Sequence, residues 1–303
     1  MSKIYRYRVL NNYSLNALSK FELSLTSPSE FNDPFDCFIK YNVDDIIKYF
    51  NDNLNLKKIL IEYDYYYCNE KKPTYEELSE YISHYNHNLT FKHLIEEYCL
   101  SALKTIRDYF FVACFSENVN NTVLWAYYAN DSRGFCLEYD EDMLLKLIDK
   151  YCKSKKISNE FNYIFNVNYL EEFPDRTDLM IKILTKYVKF LNKSIGDNRY
   201  KRIDFELTLN DIKSIFLNKT INWRYEKEKR IIIPKKNLDL KFDSVDIIVP
   251  TSIYLGNKTE FWATDFLYFL CQNSDIKLFR MNNVYGNNID LKPIPVGIMP
   301  RGK

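Results

Sequence analysis

The segment Trp223-Arg224-Tyr225-Glu226-Lys227-Glu228-Lys229-Arg230 runs straight into Ile231-Ile232-Ile233-Pro234. A short apolar run of this kind, entered from a charged flank and closed by proline, reads as a buried strand. Side chains alternate between the two faces of a strand. The spacing therefore places Glu226 and Glu228 on one face, and Lys227 and Lys229 on the other. Two neighbouring carboxylates entering a sheet are costly unless water, a cation or a substrate accommodates them, which makes this pair the leading candidate for chemistry. The plainer reading is a strand end salt-bridged by Arg224 and Arg230.

The rest of the chain surrounds such a strand with alternating elements. Short strands are expected over residues 4–10, 21–27, 110–116, 134–139, 163–170, 245–249, 252–255, 276–280 and 289–294. Helices are expected over 14–20, 122–129, 141–151, 178–192, 205–217 and 259–272. From about Val43 to Tyr109 the pattern turns helical, with a capping box at Thr74-Tyr75-Glu76-Glu77 and Phe91, Leu94, Ile95, Tyr98 and Ala102 at helical spacing. The expectation is a single α+β domain over residues 1–303. It has a central mixed or antiparallel sheet flanked by helices, and residues 43–109 form a helical insertion. The tail from Pro293 is expected to be loosely ordered. No G-x-G-x-x-G follows a strand, which excludes a Rossmann dinucleotide site and a P-loop.

Composition narrows the function classes. Lys and Arg number 42 against 41 Asp and Glu, so no global charge draws the chain to nucleic acid or an anionic membrane. Its longest apolar run, Phe266 to Cys271, is too short to cross a bilayer, and no membrane association is expected. Seven cysteines, an odd number without C-x-x-C, together with no secretory leader, fit reduced thiols in the cytoplasm. The three histidines, His84, His87 and His93, all lie in the helical insertion. A zinc site there would need Cys99 or Glu96 as a further ligand, and surface histidines are the simpler reading. Elsewhere no histidine exists to serve a Ser-His-Asp or Cys-His hydrolase.

Other constellations are weaker. Asn32-Asp33-Pro34 favours a turn held by an aspartate side chain. Asp33 and Asp36 with Glu138, Asp140, Glu226 and Glu228 form a possible Mg²⁺ cage, the basis of an alternative reading as a metal-dependent nuclease. Ser116 ends a strand and is expected to orient a neighbour. Trp125 and Tyr128 are expected to pack under the sheet, with an aromatic cleft wall as the functional alternative.

Five stretches taken together resemble one bacterial family, the domain-of-unknown-function family numbered 2971. They are Tyr5-Arg6-Tyr7-Arg8, Ser27 to Asp36, Cys114-Phe115-Ser116, Leu124 to Ala129 and Trp223 to Arg230. That family keeps company with abortive-infection and phage-defence proteins, which implies a defensive or toxic role. A more distant resemblance is to ADP-ribosyltransferases, in the order Arg6, then Ser24, Thr26 and Ser27, then Glu226-Lys227-Glu228. It implies NAD as the substrate cofactor, with Glu228 holding the ribose and Glu226 activating the acceptor. Arg6 would bind phosphate or ribose. Tyr7, Ser24, Thr26, Ser27 and Trp125 complete the expected ligand-binding set, with Asn32, Asp33, Asp36, Ser116 and Arg230 lining or supporting the site. The implied partner is a macromolecular target, protein or nucleic acid. A third reading is a non-catalytic sensor or partner-binding protein whose acids and aromatics are structural.

Overall fold

A computed structural model describes all residues except 1, 86–87, 159–163, 196–201, 236–241, 246–247, 273, 285–289 and 297–303. The chain divides into two compact units. One comprises Met1–Asn32, Tyr109–Leu170 and Lys219–Lys303, and the other comprises Asp33–Asp108 and Glu171–Asn218.

The first unit is built on a large sheet. Its path runs β12 (Asp290–Pro295), β11 (Lys277–Val284), β10 (Ser252–Leu255), β4 (Phe135–Asp140), β1 (Lys3–Arg8), β3 (Phe110–Ser116), β2 (Leu23–Thr26) and β9 (Phe242–Val245). Off this path, β8 (Glu228–Pro234) pairs with β3, and β5 (Phe165–Asn166) pairs with β8. All the pairings are antiparallel except β10 with β11, so the expected mixed sheet is present. Ile231, Ile232 and Ile233 are fully buried at its centre, as the apolar triplet requires.

The sheet forks at β3. One edge of β3 is filled along its whole length by β8, from Phe110↔Pro234 to Ser116↔Glu228. A strand has only two edges, so β1 and β2 must share the other. β1 meets it at Tyr5↔Ser116 and β2 at Thr26↔Val112. The wedge between β1 and β2 is bridged by the helix that joins them, α1 (Asn12–Ser19), capped by Asn11.

Helix α6 (Thr122–Tyr127) leads into a left-handed turn, in which Asn130, Asp131 and Ser132 all have positive φ. Such residues cost roughly 1 kcal/mol each. Here the turn is held by Asp131 N–H to the Ala126 carbonyl, Ser132 N–H to that of Trp125, and Gly134 N–H to that of Ala129. Gly134 then opens β4 so close to its neighbour that a Cβ would stand 2.2 Å from the Arg8 carbonyl oxygen.

The second unit is helical: α2 (Val43–Asp52), α3 (Leu54–Asn69), α4 (Tyr75–His84), α5 (Asn88–Asp108), α8 (Thr177–Ser194) and α9 (Leu209–Phe216). The capping box at Thr74 and Glu77 forms. Its interior includes Ile46, Phe50, Leu60, Ile61, Ile95, Ile106, Ile183 and Val188. The helices of residues 43–109 therefore do not close on themselves: α8 packs against α2, α3 and α5 and supplies part of their core. The C-terminal stretch expected to be loose pairs as β12 as far as Pro295. Among the described residues no helix is long and apolar enough to cross a membrane.

Candidate functional site

The two glutamates meet, but not as strand neighbours. The strand starts at Glu228, and Glu226 ends a 3-10 helix, Ile221–Glu226. Lys227 between them is left-handed, with φ 44°, which breaks the expected alternation. What joins the carboxylates is a residue that sequence reasoning missed. Lys219 Nζ lies 2.6 Å from Glu226 Oε2 and 3.2 Å from Glu228 Oε2.

Lys219 comes from β7 (Asn218–Thr220), paired with β6 (Asn168–Leu170), and its ammonium sits 4.7 Å from the centre of the Trp223 ring. Arg230, fully buried, donates from Nε to Glu228 Oε1 at 2.8 Å and from Nη2 to Oε2 at 2.9 Å. This bidentate fork is the geometry that suits guanidinium to carboxylate. Tyr128 donates its hydroxyl to Glu226 Oε1 at 2.7 Å, and the Glu228 N–H is bonded to the Tyr169 hydroxyl. Thus Arg224 is not a partner of the pair, whereas Arg230 is.

All four residues of this array are buried, and their charges balance two against two. Burial pushes the Glu226 carboxyl above the usual carboxylate range; the Lys219 ammonium pulls it back and the Glu228 charge pushes it further up. Burial beside Glu226 also raises the Tyr128 phenol. Ser116 orients a neighbour as expected, its hydroxyl donating to the Glu226 carbonyl at 2.7 Å.

Register decides which other candidates share this place. Ser252↔Glu138, Glu138↔Tyr5, Tyr5↔Ser116 and Ser116↔Glu228 are successive cross-strand pairs, so all five side chains lie in one row on one face. Tyr7, two residues on from Tyr5, keeps to that face and meets the Trp125 ring edge-on at 5.2 Å. Trp125 is buried, with its indole N–H bonded to the Val119 carbonyl, so it belongs to the core rather than to an open cleft wall. The Tyr7 hydroxyl is taken by the Asn118 carbonyl at 2.6 Å.

Arg6 does not join them. It pairs with Leu137 and alternates with Tyr5 and Tyr7, which puts it on the opposite face from Glu228. There its guanidinium lies over Phe115, at 5.7 Å, and lines a pocket with Arg8 and Ser24. The expected set of Arg6, serine and glutamate is therefore split by the sheet, for the simple reason that β-strand parity is fixed. Thr26 pairs with Val112, and Ser27 is buried with its hydroxyl 2.8 Å from that of Ser29.

The carboxylate cage does not assemble either. Glu138 stands three strand spacings from Glu228, roughly 14 Å. It is bonded by Thr251, Ser252 and Tyr254 with Lys3 alongside. Asp33 is a turn residue, accepting the Phe35 N–H at 2.9 Å, and the buried Asp36 lies with it in the helical unit, whereas Asn32 belongs to the sheet unit. Among the described residues no group of three or more His, Cys, Asp or Glu is placed to hold a metal ion. His93 is exposed and faces Glu96 at 3.4 Å, His84 is exposed at the end of α4, and His87 lies outside the described residues.

Residues 124–231 match the model of a family described as "Protein of unknown function (DUF2971)". The matched stretch takes in most of α6, the left-handed turn, Lys219 and both glutamates, and it supports the resemblance to that family through two of the five stretches, Leu124 to Ala129 and Trp223 to Arg230. No curated protein and no solved structure matches the chain.

Proposed function

We propose that this chain is a group-transfer enzyme of the NAD-using, ADP-ribosyltransferase-like kind, with its chemistry on the sheet face that carries Tyr5, Ser116 and Glu228. The observation that supports this is the tethering of Glu226 to Glu228 through Lys219, in surroundings that treat the two carboxyls differently. Glu228 is gripped by Arg230, while Glu226 is pushed toward its protonated form. Pairs of acids held apart in this way divide the work of electrostatic stabiliser and acid–base.

In the proposed reaction nicotinamide leaves with the electron pair of its bond to ribose. Glu228 stabilises the oxocarbenium-like centre, the acceptor's nucleophile bonds to that carbon, and Glu226 in its ionised form, made more basic by its raised pKa, takes the acceptor's proton. Arg6 has no part in it. The acceptor would be a protein or nucleic acid, and the setting a defence response.

A second reading is a non-catalytic clasp, and one observation favours it: all four carboxylate oxygens of Glu226 and Glu228 already have partners within the chain.

The experiment is nicotinamide release from NAD, in the presence of a bacterial lysate as a source of acceptors. The transferase reading expects release by the native protein and a loss of about a hundredfold or more in Glu226→Gln, a variant that keeps the Glu228–Arg230 fork. If millimolar NAD neither raises the melting temperature nor is cleaved, the transferase fails and the clasp stands.

A further inference from the structure

On the opposite face of the sheet, at the fork between β1 and β2, the charges do not balance. Arg6 and Arg8 are two residues apart on β1 and so point the same way. Arg6 is only 9% exposed, yet neither guanidinium makes a hydrogen bond or ion pair among the described residues. The Arg6 guanidinium lies over the Phe115 ring at 5.7 Å and that of Arg8 over the Tyr13 ring at 6.0 Å. A guanidinium carries five N–H donors in a planar fork, and those of Arg6 and Arg8 have no acceptor among the described residues, which leaves them to water or to a ligand. Burial, with the Arg8 charge beside it, lowers Arg6 to about 10, so it still carries its charge at neutral pH.

Both arginines line one cavity. Its other walls are Ser14, Ala17 and Leu18 of α1, Glu22, Leu23 and Ser24 at the start of β2, and Phe135, Leu137 and Tyr139 of β4. The space amounts to about 240 Å³ counted out to open solvent, and its enclosed base holds roughly one water molecule. Neither a dinucleotide nor a whole phosphate group fits in the enclosed base; one oxygen of a terminal oxyanion does, with the rest of the ligand toward solvent. Charge sets the sign of the ligand, since two cations face one carboxylate, that of Glu22, and Glu22 forms no ion pair with either.

The geometry points to an oxyanion site at this fork: Arg6 and Arg8 grip the terminal phosphate of a phosphate monoester, and the Glu22 carboxylate accepts from a hydroxyl on the same ligand. The site lies on the other side of the sheet from Glu226 and Glu228, and it does not rest on the transferase reading.

The test is thermal stability of the intact chain titrated with inorganic phosphate and with ribose 5-phosphate, against sodium chloride at matched ionic strength. Ligand that binds only the folded state raises the melting temperature. The site predicts a saturable rise of a few degrees with either phosphate, and a several-fold lower half-saturating concentration for the sugar phosphate. Arg8→Gln, at a partly buried position without a side-chain hydrogen bond or ion pair among the described residues, should fold and should weaken binding about ten- to a hundredfold. In Glu22→Gln, phosphate itself should bind at least as tightly, because a repelling charge is gone. No rise beyond that with chloride, or an undiminished rise in Arg8→Gln, overturns the site. Equal affinity for the two phosphates in the native chain overturns the role given to Glu22 and identifies free phosphate as the ligand.

Discussion

The buried array makes a prediction whose size follows from its bonds. Arg230→Met removes the two charge-assisted hydrogen bonds to Glu228, at 2.8 and 2.9 Å, and among the described residues leaves the buried Glu228 with Lys219 as its cation. Bonds of this kind contribute about 1.5–3 kcal/mol each, and stranding a buried charge costs about 3–5 kcal/mol in all. Glu228→Gln strands Arg230 instead, and the cost is expected in the same range. The double variant strands neither, since Lys219 and Glu226 still balance. Its cost should therefore fall at least 2 kcal/mol short of the sum of the singles. The chain's three tryptophans, Trp125, Trp223 and Trp262, all lie in the sheet unit, so their fluorescence in urea reports on that unit alone. With a slope of about 2 kcal/mol per molar urea, each single variant should lower the midpoint by about 1.5–2.5 M. Additivity within about 0.5 kcal/mol, or single costs below about 1 kcal/mol, would refute the view that these four charges act as one unit.

Glu226 sets a pH dependence. Its folded pKa is raised above the unfolded value, so the folded state holds this proton more tightly. The stability it contributes is present in full below the unfolded carboxylate pKa and is lost as pH rises through the folded one. Relative to Glu226→Gln, the native chain should lose stability across that window, which urea midpoints from pH 4 to 8 would show; a parallel pair of curves counts against the shift. Gly134→Ala forces a Cβ to within 2.2 Å of the Arg8 carbonyl oxygen, and should cost about 1–3 kcal/mol in the same fluorescence assay. In the helical unit, the buried Asp64 accepts hydroxyls from Tyr81, Tyr85 and Tyr98 at 2.9, 2.6 and 3.3 Å. Asp64→Asn turns part of that acceptor into a donor facing donors, and should cost about 1–3 kcal/mol, read by far-ultraviolet circular dichroism in urea.

Local chemistry was legible in the sequence where a residue type dictates a backbone state. The isoleucine triplet gave the central strand, Thr74 and Glu77 formed their reciprocal cap, and Asp33 closed the turn before Phe35. What escaped depends on contacts between distant segments. Lys227 adopts a left-handed conformation that no lysine advertises, and this single dihedral removes Glu226 from the strand. Lys219 stands seven residues before Glu226, with nothing around it to mark an ion-pair partner. The separation of Arg6 from Glu228 needs the registers of three strands, although the alternation of Arg6 with Tyr5 and Tyr7 was visible from the start. Likewise α8 joins the helical unit from far along the chain, because its apolar face, with Ile183, Leu184 and Val188, fills a core that residues 43–109 leave incomplete.

One strand, β1, serves both faces. Its odd residues, Tyr5 and Tyr7, belong to the face that carries Glu228, and its even residues, Arg6 and Arg8, belong to the fork. The two faces differ in what they leave unsatisfied. On the acid side every carboxylate oxygen of the pair is bonded and the charges cancel, so a ligand there must displace internal bonds and repay about 1.5–3 kcal/mol for each charge-assisted one it breaks. At the fork the Arg6 guanidinium is largely buried, and it makes no hydrogen bond or ion pair among the described residues. An anion entering the fork meets donors that need not first be released from an internal acceptor. Binding is therefore expected first on the arginine side, even if the chemistry belongs to the other face. This is also why activity toward NAD and affinity for phosphate can be tested separately: substitution at Arg8 leaves the tyrosine row in register, and substitution at Glu226 leaves the fork untouched.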